Sequence, residues 1–100
     1  MTDLPEIIVF KDASFGGDSF RTNLDYLYVG DNWNDSISSL IVVAGTWQLY
    51  ENSNFNQDGG GASSNLLTPG YYPWVEDPTV NMANDSVSSF QVISFNPDGV

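Results

Sequence analysis

The stretch NDSISS at residues 34–39 occurs a second time as NDSVSS at residues 84–89, with one conservative change in six positions. Each copy is followed by an apolar segment of strand length, LIVV at residues 40–43 and FQVI at residues 90–93. A second motif precedes each copy: an aromatic residue, four further residues and then Phe, first at Phe10 and Phe15 and then at Tyr50 and Phe55. The chain is therefore interpreted as two copies of a unit of about 40 to 50 residues.

The pattern of apolar residues predicts strands. The run at residues 7–10 is rich in β-branched residues, Trp47 and Leu49 alternate with polar neighbours, and clusters of Gly, Asn, Asp, Ser and Pro separate such runs. Each unit has room for four antiparallel strands in a Greek key. We predict an all-β, single domain over residues 1–100, with Greek-key motifs at about 5–44 and 45–95 that form a two-sheet β-sandwich.

The second unit is longer than the first. Its first aromatic residue lies 34 positions before its Asn-Asp-Ser motif, against 24 in the first unit. The additional residues fall around 58–64 and 71–79, which are rich in Gly, Pro and aromatics. We predict extended surface loops there.

Composition limits the classes of function. The 100 residues include 13 acidic and two basic residues, giving a net charge of −11. Binding to nucleic acid or to an anionic membrane needs Lys and Arg, so neither is expected as a partner, and cations are favoured. No apolar run approaches the roughly 20 residues of a membrane helix, so membrane insertion is not expected.

The repeated polar loop has the chemistry of a calcium site. It offers carboxylate, amide and hydroxyl oxygens with backbone carbonyls between them, and the chain has neither His nor Cys. Hard oxygen donors suit Ca²⁺, which takes six to eight of them, whereas zinc and copper favour His or Cys. A turn held by Asx and Ser hydrogen bonds is the alternative. The repetition of the motif at the same place in both units favours a metal site.

Other chemistries have weaker signals. Residues 54–59 resemble the start of an EF-hand loop, but Asn65 stands where a bidentate Glu is required and no helical pattern flanks the segment. Without His or Cys the usual nucleophile–base pairs are absent, so an enzyme is not expected. Several aromatic residues could stack on a sugar, although most are expected in the core; these are Trp33, Trp47, Tyr71, Tyr72 and Trp74.

Together the two motifs resemble the βγ-crystallin superfamily, especially its microbial calcium-binding members. The family's hairpin pattern, aromatic-x4-aromatic-x-Gly, is complete at Phe10, Phe15 and Gly17. In the second unit Gln57 replaces the Gly, and one of residues 59–61 is expected to take over after a two-residue insertion. The calcium signature, Asn/Asp-Asn/Asp-x-x-Ser/Thr-Ser, is complete in both units.

The resemblance implies two Ca²⁺ ions, each held by groups from both loops. Asp35 and Asp85 would provide carboxylates that reach across to the other loop's ion, and Ser38 and Ser88 would provide hydroxyls. Backbone carbonyls are implied at the remaining positions, which are Ser36, Ser86, Lys11 and Glu51. The ammonium of Lys11 is expected to weaken its own site slightly.

We therefore expect a non-enzymatic, calcium-stabilised structural domain. The alternative is an exported, calcium-stiffened module that uses residues 71–74 or an exposed sheet to bind a carbohydrate or a protein. We expect a monomer from a bacterium or archaeon. The N-terminus lacks the features of a signal peptide, and we favour a domain excised from a secreted protein over a cytoplasmic protein.

Overall fold

The computed structural model describes residues 4–57 and 59–95. Six strands form: β1 (Glu6–Asp12), β2 (Gly16–Thr22), β3 (Ser39–Ala44), β4 (Thr46–Tyr50), β5 (Gly70–Tyr72) and β6 (Ser89–Ser94). Single 3₁₀ turns at Ala13–Phe15 and Asn54–Asn56 are the helical elements of the described residues, and neither could cross a membrane. The all-β prediction is confirmed.

The strands form two antiparallel sheets. The first has the order β2-β1-β3-β5, and the second contains β4 and β6. Isolated bridges widen the second sheet on both sides: Tyr26 pairs with Phe90 of β6, while Leu67 and Ser63 pair with β4. The second sheet therefore has the order residues 63–67, β4, β6, residue 26, and it matches the first sheet strand for strand.

Each half of the chain places one segment in the other half's sheet. The first half supplies β1, β2 and β3 to the first sheet and the segment at Tyr26 to the second. The second half supplies β4, β6 and residues 63–67 to the second sheet and β5 to the first. The predicted arrangement of two Greek keys in a two-sheet sandwich is confirmed, and the two keys are interlocked by these third strands.

The core lies between the inward faces of the two sheets. Alternate residues of β1 and β4 are fully buried, as the period-two pattern predicts. Phe20, Tyr26 and Trp33 pack against this core, and their rings adjoin one another or Phe90. The buried apolar side chains are Ile7, Val9, Val29, Ile37, Leu40, Val42, Trp47, Leu49, Tyr50, Leu67, Val75, Val80, Met82, Val87 and Phe90.

The additional residues of the second unit are not simply surface loops, contrary to the prediction. Residues 70–72 form β5 beside β3, and Val75 and Val80 are fully buried. Ser64 is also buried, and its hydroxyl accepts a hydrogen bond from the Leu49 amide at 2.9 Å. These segments bury apolar and paired groups because they form an edge strand and cover the end of the sandwich. Of the predicted loop residues, Asp58 lies outside the described part.

The two folded hairpins have the same geometry despite their different lengths. Phe10 packs edge-on against Phe15 at 5.5 Å between ring centroids, and Tyr50 packs against Phe55 at 5.7 Å. Gly17 has φ +72°, and a Cβ there would lie 2.7 Å from Asp12 Oδ2.

Gly61 takes the role of this glycine in the second hairpin. Its φ is +90°, and a Cβ there would lie 2.5 Å from Asn52 Nδ2. Asn52 and Gly61 thus correspond to Asp12 and Gly17, so the insertion is four residues long and the predicted two is wrong. The additional length is absorbed where the Asn56 side chain bridges the Asn52 amide and the Ala62 carbonyl, each at 2.9 Å.

Candidate metal centre

The two Asn-Asp-Ser loops lie side by side, although 50 residues separate them in sequence. The Asp35 amide donates to the Val87 carbonyl at 3.1 Å, which joins the two loops directly. Two further hydrogen bonds are equivalent in the two units. The Val29 amide donates to the Ser88 carbonyl at 2.9 Å, and the Val75 amide donates to the Ser38 carbonyl at 3.0 Å. The loops therefore contact each other directly, and each also pairs with the segment that follows a third strand exchanged between the Greek keys.

The two loops share the backbone conformation of their second position and the burial of their fourth. Asp35 and Asp85 each have φ 58°, in the left-handed region that Asp and Asn tolerate better than most residues. Two positions later, Ile37 and Val87 are fully buried and anchor each loop in the core. The second position therefore remains exposed while the fourth fixes the loop.

The sixth position of each motif holds the neighbouring hairpin closed. Ser39 is fully buried; its hydroxyl donates to the Asp12 carbonyl at 2.6 Å and accepts from the Phe15 amide at 3.0 Å. Ser89 is likewise fully buried and bridges the Asn52 carbonyl and the Phe55 amide at 2.6 and 3.2 Å. The motif thus includes a structural serine that was not among the predicted ligands.

The fifth-position serines reach the opposite loop. Ser38 Oγ donates to Asp85 Oδ1 at 3.3 Å, so two of the predicted ligands, one from each loop, lie within hydrogen-bond distance of each other. Ser88 Oγ donates to Asn34 Oδ1 at 2.5 Å, a group of the opposite loop that was not among the predicted ligands. Both serines are buried and place an oxygen at the junction between the loops.

The two hairpin residues predicted to offer carbonyls follow the first aromatic of each hairpin. The amides of Ser38 and Ser88 donate to the preceding carbonyls of Phe10 and Tyr50, both at 2.9 Å. These bonds place Lys11 beside the loop at residues 34–39 and Glu51 beside the loop at residues 84–89.

The side chains of these two hairpin residues are engaged differently. The Lys11 ammonium lies 5.2 Å from the ring centroid of Trp33, the residue before the first motif. Glu51 Oε1 accepts a hydrogen bond from the Ala62 amide at 3.0 Å. The first loop therefore has a positive charge beside it, whereas the corresponding residue beside the second loop carries a negative charge.

The third-position serines use their hydroxyls within their own loops. Ser36 Oγ donates to the Asn34 carbonyl at 3.3 Å, and Ser86 Oγ donates to the Ala83 carbonyl at 2.7 Å. These hydrogen bonds are of the kind that the polar-turn alternative requires. They leave the backbone carbonyls of Ser36 and Ser86 as the groups predicted to bind an ion.

Asn84 provides a test of whether the loops suit a cation. Within residues 4–57 and 59–95, its Oδ1 is a buried side-chain oxygen without a hydrogen-bond partner. Buried acceptors are normally satisfied, so an unpaired one beside Asp85 fits a site for a cation or a water molecule. Across the same residues no three acidic side chains gather around a common point, so an ion here would depend on neutral oxygens as much as on carboxylates.

Negative charges also lie near the first loop. The Tyr28 hydroxyl donates to Asp31 Oδ1 at 2.7 Å, and this hydrogen bond raises the pKa of the phenol above its usual value of 10.0. Partial desolvation and the charges of Asp31 and Asp35 raise the pKa further. The same carboxylates would favour the approach of a cation.

The aromatic residues proposed as a sugar platform do not share one surface. Trp47 is fully buried, and Trp33 and Tyr72 pack against the core. Tyr71 and Trp74 are exposed, with 74% and 37% of their surfaces accessible. A platform built from all five residues is therefore excluded.

The sequence motifs identified the loops but missed three roles. They did not reveal the hairpin bridge formed by Ser39 and Ser89, the bond from Ser88 to Asn34, or the unpaired oxygen of Asn84. Identity of the sixth residue in both copies was the available signal for the bridge. The other two depend on how the loops meet, which the motif alone does not specify.

Comparison with known proteins gives a consistent picture. The family model described as Beta/Gamma crystallin matches residues 6–93. A Beta/gamma-crystallin of Ciona intestinalis is 39% identical over 70 residues, which cover 68% of this chain and 76% of that protein. Beta-crystallin B1 of Mus musculus is 33% identical over 91% of this chain; the chain spans 36% of that protein's length.

Solved structures agree. A betagamma-crystallin from an archaeon is 41% identical, with a TM-score of 0.78 over 91% of this chain and 100% of the other. A betagamma-crystallin domain from Clostridium beijerinckii is 28% identical, with a TM-score of 0.63 over 86% and 94% of the two chains.

Proposed function

Because this chain belongs to the beta/gamma crystallin family, we propose that it is a non-enzymatic, calcium-binding domain whose two Asn-Asp-Ser loops together hold two Ca²⁺ ions that stabilise the fold. The observation that supports this most directly is the pairing of Ser38 Oγ with Asp85 Oδ1 at 3.3 Å, because it brings a hydroxyl and a carboxylate from different loops to one point. The absence of His and Cys from the sequence supports a role without catalysis.

The residues fit the ion in the type of donor. One site would be formed by the Asp85 carboxylate, the Ser38 hydroxyl and the carbonyls of Ser36 and Lys11. The other would be formed by the corresponding Asp35, Ser88, Ser86 and Glu51. All of these are oxygen donors, as Ca²⁺ requires, and the unpaired Oδ1 of Asn84 adds a further acceptor beside the loops. Water would complete each coordination shell.

The ion would supply positive charge at the junction of the two Greek keys. Without cations the chain has a formal charge of −11, which two Ca²⁺ ions would reduce to −7. An ion that binds the folded state alone stabilises it by about 2.7 kcal/mol per site at a hundredfold excess over Kd. Because each site contributes one carboxylate, we expect micromolar or weaker affinity, as in extracellular modules.

The test is calorimetric titration of the chelator-treated protein with CaCl₂, with the melting temperature followed in parallel. Two binding events and a rise of several degrees are expected. Asp35→Ala and Asp85→Ala should each remove about one site, because alanine provides no side-chain oxygen. Asp18 is an exposed residue of β2, and Asp18→Ala is the matched control, because it changes the net charge equally without altering a loop. If no heat of binding and no change in melting temperature were found at millimolar calcium, the proposal would be refuted. If the control variant lost calcium binding to the same extent, the effect of calcium would be charge screening rather than binding at the two loops.

A further inference from the structure

The outward face of the first sheet carries a row of residues across all four strands, in which three of the four are apolar or aromatic. Ile8 of β1 pairs in register with Arg21 of β2 and with Ile41 of β3, and Ile41 pairs with Tyr71 of β5. Since their neighbours Ile7, Val9, Leu40 and Val42 face the core, these four residues point away from it. Val43, Phe10 and Phe15 lie beside the row, and Tyr71 packs edge-on against Phe15 at 6.0 Å.

The second sheet provides an internal comparison, because it has the same strand order and is built mainly from the other half of the chain. Gln48 occupies the place of Ile8, two residues before the hairpin aromatic, and Gln91 occupies the place of Ile41. Asp25, which precedes Tyr26, occupies the place of Tyr71. Gln48 and Gln91 hydrogen-bond to Tyr50, and Asp25 accepts from the Val92 amide at 2.8 Å. The fold therefore does not require apolar residues at these outward positions.

We propose that the outward face of the first sheet is the contact surface of a weak homodimer, in which the Arg21–Ile8–Ile41–Tyr71 row packs against the same row of a second copy. This goes beyond the calcium function and does not depend on it. It departs from the monomer expected from sequence, because the row exists only once four separate segments are placed in register.

The order of residues in the row is self-complementary. A two-fold axis parallel to the strands, between β1 and β3, reverses the row in the second copy. Each Ile8 then faces the second copy's Ile41, and each Arg21 faces its Tyr71, which allows a cation–π contact at both ends. Glu6, which pairs with Ala44 in its own sheet, faces Ala44 of the second copy. No carboxylate of these rows opposes another.

The distribution of charge also favours association of two copies through this face. Of the chain's two basic residues, Arg21 lies on this face, where its side chain is 66% exposed and forms an ion pair with Glu6. The row itself contains no acidic residue, although the chain has a net charge of −11. A second copy of an acidic protein can therefore approach this face with less repulsion than a part of the surface that carries acidic residues without a basic one.

The area of the face limits the strength of association. Three strands about 20 Å long and the shorter β5, all about 4.8 Å apart, cover roughly 340 Å², so a dimer would bury about 700 Å² in total. Stable complexes usually bury more than about 1,200 Å², which predicts a weak, reversible dimer. Because the net charge opposes association and salt screens it, raising the salt concentration should strengthen the dimer.

Sedimentation velocity from about 10 μM to about 1 mM protein, at low and high NaCl, tests the proposal. The average mass should rise toward twice that of the monomer, more steeply at high salt. Amide shifts that depend on concentration should cluster at residues 8, 21, 41 and 71 in NMR spectra.

The double variant Ile8→Gln/Ile41→Gln introduces, on the first sheet, the residue type that the second sheet carries at the corresponding positions, Gln48 and Gln91. It should keep a folded circular dichroism spectrum and associate at least about tenfold more weakly. Ile93 is an apolar residue of the second sheet that is 42% exposed. The variant Ile93→Gln is therefore the control, and it should associate as strongly as the unchanged protein. A monomer throughout, equal association of the double variant, or an equal loss in the control would overturn the proposal.

Discussion

Replacing Ser39 by Ala should destabilise the domain through the hairpin rather than through the metal loops. The Ser39 hydroxyl bridges the Asp12 carbonyl and the Phe15 amide at 2.6 and 3.0 Å, and the residue is fully buried. Alanine removes both hydrogen bonds. An unsatisfied buried group costs about 1–3 kcal/mol, and because Asp12 is exposed we take the low end for each, about 2 kcal/mol in total.

This loss is large enough to measure in two ways. For a domain of this size, 1 kcal/mol corresponds to about 4–8 °C, so the melting temperature should fall by about 8–16 °C. Urea unfolding in chelator should show a lower midpoint with an unchanged m-value. Chelator is needed because bound calcium would add its own stabilisation.

The corresponding Ser89→Ala should cost the same or less. Its bond to Phe55 is slightly longer, at 3.2 Å, and Asn56 holds the second hairpin through two further hydrogen bonds. Ser63→Ala, at an exposed position, is the control for loss of a hydroxyl. If Ser39→Ala unfolds at the same urea concentration as this control, the bridge does not hold the hairpin and the reasoning fails.

Three further predictions concern other parts of the molecule. Gly17→Ala should cost about 2 kcal/mol, because φ is +72° and the new Cβ would lie 2.7 Å from Asp12 Oδ2; urea unfolding measures it. Lys11→Glu should tighten calcium binding at one site by about 1 kcal/mol, roughly fivefold, because it replaces a positive charge near the site by a negative one, as at Glu51 in the second unit. Calorimetry measures the affinity. Hydrogen bonds from Thr79 lower the pKa of Asp77 below its usual 3.8, so the stability they provide is present above that pH and is lost as the pH falls through the lower, folded-state pKa.

Each of these has a control. Gly59→Ala should cost less than the change at Gly17, since φ is +102° but no atom lies within 4 Å of the new Cβ. Lys11→Gln should give about half the effect of Lys11→Glu, and an unchanged affinity in both would contradict the electrostatic explanation. For Asp77, the stability difference between the protein and Asp77→Asn should shrink below about pH 4. A constant difference from pH 7 to 3 would show that ionisation is not involved.

The sequence predicted the fold well because its signals were local and repeated. The period-two runs at β1 and β4 gave the strands, and the paired aromatics gave both hairpins. The duplicated motif also located the two loops that meet at the candidate metal centre. A pattern that occurs twice in corresponding places leaves few architectures open.

Features that depend on pairing between distant segments could not be predicted. Gly61 corresponds to Gly17 because both approach the preceding Asp or Asn side chain, and counting from Phe55 gave an insertion of the wrong length. Residues 71–79 resembled a loop because their burial depends on β3 and on the core beneath them. The hydrogen bond from Ser88 to Asn34 likewise depends on how the two loops meet.

The exchange of third strands has a consequence for how the domain comes apart. If the chain were cut between Ala44 and Gly45, each fragment would carry three strands of one sheet and the strand that the other sheet lacks. Neither fragment could complete its own sheet alone, but each would carry the strand that the other needs. A single unit could satisfy the same requirement by pairing with an identical one, so a symmetric pair of half-length chains could in principle form the same interlocked architecture.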